Sequence, residues 1–270
     1  MDLLSSVLRS PVAEDDKYSR GVVGFVTGST NFPGAAILGV TAAMRTGVGM
    51  VRWIGPEAVG RILLEVRPEV VLQDGRAQAW VIGSGVANDQ HDEQLENAKS
   101  KLGEAKFAVV DAGALEFVNF ETLGAASVLT PHAGEMSRLL ARLGDNWSRS
   151  DVEHSPVDAA KLVAFKSGQV VLLKGNVTTV ADPSGASWQT PPANPALATA
   201  GSGDVLAGIL GALIASNTLK LEAEELSLAQ LALAAALLHA RAGDLAAESG
   251  PVVALDIAEA LRAVVGDILG

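Results

Sequence analysis

Apolar positions along this chain fall into two kinds of pattern. Short continuous runs recur at Val22 to Val26, Met50 to Ile54, Ala79 to Ile82, Phe107 to Val110, Ser127 to Leu129 and Val170 to Leu173. Apart from Arg52 they carry no charge, so each predicts a strand buried on both faces, as in a parallel sheet. Between the runs lie segments with helical spacing. Ala35 to Arg45 predicts an Ala-rich helix stopped at Gly47, and Pro56 to Val66 a short one. Asp89 to Gly103 predicts a charged surface helix with Asp89 as N-cap, and Met136 to Leu143 a helix following Pro131. Pro156 to Ser167 predicts a helix opened by Ser155-Pro156. Strand, helix and strand in alternation predict right-handed crossovers. Gly144 to Ser155 is polar and reads as a flexible surface loop.

The pattern changes after Lys174-Gly175. Val177 to Ala181 predicts a short strand, Asp182 to Gly185 a turn, and the segment around Trp188 a partner, all antiparallel. The helix opening near Asp204 and the stretch Leu226 to Ala240 are apolar nearly all round, which predicts burial in the core or against another subunit. Leu255 to Leu269 is a more amphipathic final helix. No repeat, low-complexity tract or compositional break divides the chain, so a single domain over residues 1–270 is expected. The predicted class is α/β: a mostly parallel central sheet, helices on both faces, and a few antiparallel strands late in the chain.

Composition narrows the chemistry. Hydrophobic residues make up 49% of the chain but aromatics only 4%, so Ala, Val, Leu and Ile must build the core. The formal charge of −11 argues against a general footprint for nucleic acid or anionic membrane. With no cysteine, disulfides and thiolate catalysis are excluded. Four scattered histidines make a zinc site improbable on ligand supply. The longest unbroken apolar run, Leu231 to Leu238, is far short of the roughly 18 residues a membrane helix needs. With no secretory signal visible in residues 1–20, a cytoplasmic protein is expected.

The candidate chemistry sits at strand ends. Gly28-Ser29, Gly83-Ser84-Gly85, Asp111-Ala112-Gly113, the stretch Thr130 to Glu135, and Lys174-Gly175 each follow an apolar run. In open parallel sheets such ends line the ligand cleft. The most informative stretch runs from Asn194-Pro195 to Gly201-Ser202-Gly203-Asp204 and straight into an apolar helix. The first turn of a helix has N–H groups without internal partners and the positive end of the macrodipole. Glycines let a phosphate approach those groups. An adjacent carboxylate can take a proton from an attacking hydroxyl, so the pairing points to phosphoryl transfer. As an alternative, Asp204 simply caps the helix.

These motifs, in this order over Gly21 to Gly243, resemble the ADP-dependent (S)-NAD(P)H-hydrate dehydratases of the ribokinase-like superfamily. The resemblance is carried by Val26 to Ser29 with Gly34-Ala35-Ala36, Val110-Asp111-Ala112, Thr130-Pro131-His132-Ala133-Gly134-Glu135, Val171 to Gly175, and Gly201 to Asp204. It implies a ribokinase-like fold and repair of hydrated NADH or NADPH. ADP would phosphorylate the ring hydroxyl of the S epimer, and elimination would return NAD(P)H, AMP and phosphate. It implies Asp204 as catalytic base, and Ala36, Gly85, His132 and Asp204 at the hydrated dinucleotide. Lys174, Gly175, Asn176, Val177, Thr178, Asn194, Gly201, Ser202 and Gly203 would hold the nucleotide. Glu135 would orient Mg²⁺ through water. A homo-oligomer, with a tetramer as its expected form, is implied, as is a functional link to a separate NAD(P)H-hydrate epimerase, since the chain has no room for an N-terminal epimerase domain.

Two departures stand out. The family's usual Asp-Ala-Asp-Ala-Leu reads Asp111-Ala112-Gly113-Ala114-Leu115, which weakens a metal role for that loop, and its usual Gly-Pro-Gly reads Gly83-Ser84-Gly85. The alternative function is an ATP-dependent kinase of a small alcohol, such as a thiazole or hydroxymethylpyrimidine vitamin precursor. His132, where sugar kinases of the superfamily carry Asn, argues against it. A non-catalytic nucleotide-binding regulator is a third reading.

Overall fold

The fold is that of a computed structural model, which describes residues 3–89 and 93–270. After a short helix α1 (Leu3–Val7), the chain lays down β1 (Val22–Val26), α2 (Pro33–Thr46), β2 (Met50–Trp53), α3 (Glu57–Val66) and β3 (Ala79–Ile82). Next come α4 (Leu95–Glu104), β4 (Phe107–Val110), α5 (Ala114–Phe117), β5 (Ala126–Leu129) and α6 (Ala133–Arg142). The strands β6 (Val170–Leu173), β7 (Thr179–Ala181) and β8 (Ser187–Gln189) follow the helices α7 (Arg149–His154) and α8 (Pro156–Ser167). A 3-10 turn at Pro195–Leu197 leads to α9 (Ser202–Ser216), α10 (Thr218–Glu222), α11 (Leu228–Ala247) and α12 (Ala254–Leu269).

The strands form one eight-stranded sheet in the order β2-β1-β3-β4-β5-β6-β7-β8. Pairing is parallel from β2 through β6 and antiparallel from β6 to β8. The continuous apolar runs behave as their pattern requires. Val23, Phe25, Val81, Val109 and Leu172 face one core with α2, α9, α11 and α12, while Val26, Ile82, Val110, Val171 and Leu173 face a second core with α4, α6 and α8. Because β2 and β3 both pair with β1, the winding direction reverses between β1 and β3. The crevice beyond their carboxyl ends is the topological switch point, where ligands bind in such sheets.

The helix α9 is buried on all sides beyond its first turn. It lies between the sheet, α2 and α11 at very short range, because a Cβ on Gly208 would fall 2.1 Å from the Gly39 carbonyl oxygen of α2. Its apolar surface, and most of that of α11, is therefore covered within one chain, without another subunit.

Several boundaries differ from the sequence reading. Gly144 to Ser155 is not all loop: α7 forms because Ser148 caps it in a box with Asp151 and Val152 is buried beneath it. The charged helix begins at Leu95, and part of its expected start, residues 90–92, lies outside the described residues. The helix expected at Met136 starts at Ala133, since His132 supplies its cap. The strand expected from Val177 pairs only over Thr179–Ala181.

Candidate active site

The strand ends bring together a charged centre that local sequence does not show. Lys174, at the end of β6, reaches across to Asp111, at the end of β4, with Nζ 2.8 Å from Oδ1. Asp111 also accepts from Ser84 Oγ and Thr130 Oγ1, each at 2.7 Å. Its side chain is only 2% exposed. Burial pushes the Asp111 carboxyl upward, but the Lys174 charge and the three hydrogen bonds outweigh it and hold it below the usual carboxylate range. Burial likewise opposes the charge on Lys174, and Asp111 and Glu135 more than offset it, so its pKa is raised. Lys174 is thus a paired, largely buried cation.

Asp204 lies against this pair. The N-cap of α9 is Gly201, in the left-handed region at φ 88°, and Ser202 and Gly203 are the first helical residues. Asp204 therefore stands third in the helix and does not cap it; among the described residues its carboxylate has no hydrogen-bond partner. Burial, with Asp111 adding to it and Lys174 opposing, pushes its pKa up to about 7. A carboxylate so poised can accept a proton near neutral pH. The amide of Ser202 is turned back onto the Thr199 carbonyl at 3.3 Å. Among the described residues, the amides of Gly203 and Asp204 make no bond to the protein and remain as the anion-facing donors of the helix end. A Cβ on Gly203 would lie 3.4 Å from Lys174 Nζ, so the cation borders the same spot.

Beside this centre opens a cavity of about 600 Å³. Of the residues expected at the nucleotide, Lys174, Gly175, Asn176, Thr178, Asn194, Ser202 and Gly203 line it. Val177 instead lines a neighbouring cavity of about 560 Å³ against α7, and Gly201 lines neither. Leu197, Leu206 and Ala236 give the larger cavity an apolar wall. An anion-binding end and an apolar end suit a nucleotide.

His132 borders both cavities. Its Nδ1 accepts from the amides of Gly134 and Glu135 at 3.0 and 3.2 Å, and its own amide donates to Glu135 Oε2 at 2.8 Å. This capping box fixes His132 at the mouth of the site. Burial lowers its pKa against the pull of Glu135, with Lys174, Arg138 and Arg149 adding to the lowering. Neutral His132, with Nδ1 accepting, carries its proton on Nε2. Glu135 Oε2 is 3.7 Å from Lys174 Nζ. Among the described residues, no three His, Asp or Glu side chains converge as metal ligands. Magnesium usually keeps several waters and shares phosphate oxygens. The donors here fit a magnesium ion reached through water, and do not fit one held by protein alone.

The other expected contacts gather at the switch point. Gly28 donates to the Ser84 carbonyl at 2.7 Å. Gly85 has φ +70°, and a Cβ there would lie 2.9 Å from Ala35 Cβ and 3.1 Å from Gly28 Cα. Ala36 is fully buried, and neither it nor Gly85 lines either cavity. Thr27 Oγ1 and Ser29 Oγ are enclosed, with no hydrogen-bond partner among the described residues. Gln94 ties this turn down, donating from Nε2 to the carbonyls of Gly28 and Ile54 at 3.1 and 2.9 Å.

Asp111, Ser84 and Thr130 were not singled out as site residues by sequence; their polar character at strand ends was the available signal. His239, on the apolar helix α11, is buried and also lines the larger cavity, with Nε2 3.1 Å from Ser202 Oγ. Burial pushes its pKa down to about 4; the Ser202 backbone opposes this and the Lys174 charge adds to it.

Fold and site together define a protein of ribokinase-like architecture with a candidate site at the strand ends. A family model described as NAD(P)H-hydrate dehydratase matches residues 23–263. The bifunctional NAD(P)H-hydrate repair enzyme of Mycobacterium tuberculosis is 40% identical over 218 residues, covering 77% of this chain and 43% of its own length. The ADP-dependent (S)-NAD(P)H-hydrate dehydratase of Xanthomonas campestris is 35% identical over 226 residues, 76% of each chain. The ADP/ATP-dependent NAD(P)H-hydrate dehydratase of Bacillus subtilis, co-crystallised with ATP and Mg²⁺, superposes with a TM-score of 0.84 at 26% identity, covering 98% of this chain and 96% of that one. This chain belongs to the NAD(P)H-hydrate dehydratase family. It spans about half the length of the bifunctional relatives it matches.

Proposed function

We propose that this chain repairs hydrated NADH and NADPH by ADP-dependent dehydration of the S epimer. The observation that carries this is the meeting of Asp204, its carboxyl raised to about 7, with Lys174 and the first turn of α9; Lys174 and Gly203 line a cavity of about 600 Å³. Asp204 takes the proton of the ring hydroxyl as that oxygen attacks the β-phosphorus of ADP. The bond from that phosphorus to the bridging oxygen breaks, and AMP leaves with the electron pair. Lys174 and the Gly203 and Asp204 amides face the developing phosphoryl charge. The C–O bond of the ester then breaks and phosphate departs with that pair. A proton is lost from the neighbouring ring carbon, and the double bond of the dihydropyridine returns. Phosphate leaves where hydroxide would not, which is why a kinase-like site can serve a dehydration.

Mg²⁺, brought with ADP and reached by Glu135 through water, supplies neutralisation of phosphate charge. Ala36, Gly85 and His132 hold the dinucleotide side, and Lys174 to Thr178, Asn194 and Gly201 to Gly203 the ADP side. The R epimer reaches this site through an epimerase; the bifunctional names of the longer relatives support that functional link. A cytoplasmic homotetramer rests on family resemblance, and light scattering would measure its mass.

The test is direct. The protein is incubated with hydrated NADH and either ADP or ATP, following recovery of dihydropyridine absorbance and release of AMP or ADP. Recovery with ADP is expected. No recovery with either nucleotide, together with ATP-dependent phosphorylation of a thiazole or pyrimidine alcohol, would replace this reading with the small-alcohol kinase.

A further inference from the structure

His239 is a buried titratable side chain that the proposed chemistry leaves unused. It sits on the inner side of α11, is 8% exposed, and lines the nucleotide cavity. Its Nε2 lies 3.1 Å from Oγ of Ser202, the first residue of α9. Ser202 is itself buried, at 7% exposure, and its amide is spent on Thr199. The hydroxyl is therefore what Ser202 can offer a ligand.

We propose that His239 is a positioning residue, whose Nε2–H donates to Ser202 Oγ and so leaves the Ser202 hydroxyl proton to donate to a phosphoryl oxygen of the bound nucleotide. The direction follows from the donor inventory. A phosphoryl oxygen only accepts, so the hydroxyl must spend its single proton there. Its oxygen can then receive a bond from the imidazole. The relay runs Nε2–H to Oγ–H to phosphoryl oxygen, with each group used once. A charged imidazolium is disfavoured where His239 lies, because burial and the nearby Lys174 cation both oppose it. His239 thus acts as a fixed donor and takes no proton in the reaction. The Ser202 hydroxyl joins the Gly203 and Asp204 amides as a third donor at the helix end. The same histidine ties α11 to the first turn of α9, so the helix that walls the cavity also sets the anion site.

This inference rests on the nucleotide site proposed above, and its test separates the two. Four variants are compared with wild type: His239→Leu, His239→Gln, Ser202→Ala and the His239→Leu/Ser202→Ala double. Readouts are kcat and KM for ADP with hydrated NADH, ADP affinity by calorimetry, and Tm. His239→Leu and Ser202→Ala are each expected to lower kcat about tenfold, as for loss of one donor hydrogen bond to a charged group. The double variant should be no slower than Ser202→Ala alone, because both remove one relay. His239→Gln keeps an N–H donor and should regain most of the kcat. A Tm shift with kcat unchanged in His239→Leu would overturn the inference and leave a packing role. So would losses that multiply in the double variant, or a His239→Gln no better than His239→Leu. If wild type shows no ADP-dependent recovery of hydrated NADH, the dehydratase reading falls instead. The relay is then judged on ADP affinity, by the same single, double and rescue comparison.

Discussion

The two ligand sides of the cleft are built in opposite ways. On the donor side, β6, β7 and α9 surround an open cavity of about 600 Å³ with a cation and free helix amides at one end. On the acceptor side, β1 and β3 end in turns packed so closely that a single methyl on Gly85 would fall 2.9 Å from Ala35 Cβ. Ala36 is fully buried there, and two hydroxyls, of Thr27 and Ser29, have no partner among the described residues. One side is shaped by charge and empty volume, the other by backbone approach. The chain between β6 and β7, Lys174 to Thr178, lines the open cavity except at Val177. The parallel strands at the switch point are drawn together by a direct amide-to-carbonyl bond between Gly28 and Ser84. Asp204 lies between the two, and its environment belongs to both.

The comparison is broken most severely at Asp204. Asp204→Asn should lower turnover by about 10²–10⁴-fold while leaving ADP affinity within about threefold, because the base is lost but the amides and Lys174 remain. Steady-state recovery of hydrated NADH and calorimetry with ADP measure the two effects separately. The same variant has a second signature. As pH rises from about 4 to about 7, the folded protein keeps a proton on Asp204 that the unfolded chain has released, so this group's contribution to stability falls across that window. At pH 8 Asp204→Asn should be more stable than wild type by about 1–2 kcal/mol, and at pH 4 no more stable. Denaturant melts at the two pH values check this.

Next in size is Lys174→Met, which strands Asp111 as an uncompensated buried charge. A loss of about 3–5 kcal/mol in stability is expected, with ADP affinity falling as well. Pairing it with Asp111→Asn should recover part of the stability but not the affinity, because only the repulsive burial is relieved. A Lys174→Met protein as stable as wild type would mean that the pair does not hold the strand ends together.

The pH profile comes third. kcat/KM should fall tenfold for each unit below about pH 7, following the deprotonated fraction of Asp204, and level off above it. A profile flat from pH 5 to 8 would remove Asp204 as the titrating base. The smallest effect sharpens the contrast between the two sides. Gly85→Ala places a methyl where φ is +70° and space is short, so a cost of about 1–3 kcal/mol is expected. KM for hydrated NADH should rise severalfold while KM for ADP stays the same. Equal changes in both constants would show that the switch point does not serve the acceptor alone.

Much of this architecture is legible from local pattern. Continuous apolar runs of the length of β1, β3, β4 and β6 can be buried only on both faces, which makes the sheet parallel and covered. The turn residues after each run mark the cleft, since a strand that leaves the core must end in something polar. The capping box that forms α7 was also present, as Ser148 and Asp151, but was masked by its polar setting. The acidic third position of α9 likewise identifies Asp204 without any structure.

What the sequence could not supply is who meets whom. Lys174 and Asp111 are 63 positions apart, and only the strand order, with β5 alone between β4 and β6, lets the lysine reach across to the carboxylate. His132 has the same letters whether it touches a ligand or caps a helix; the fold makes it the cap, through Nδ1. His239 looks like one more residue on an apolar helix until α11 is laid against α9 and its ring reaches Ser202. Periodicity is a property of neighbours along the chain and fixes elements and faces. Charge pairing, raised carboxyls and shared cavities arise between elements, where burial and distance are set by packing alone.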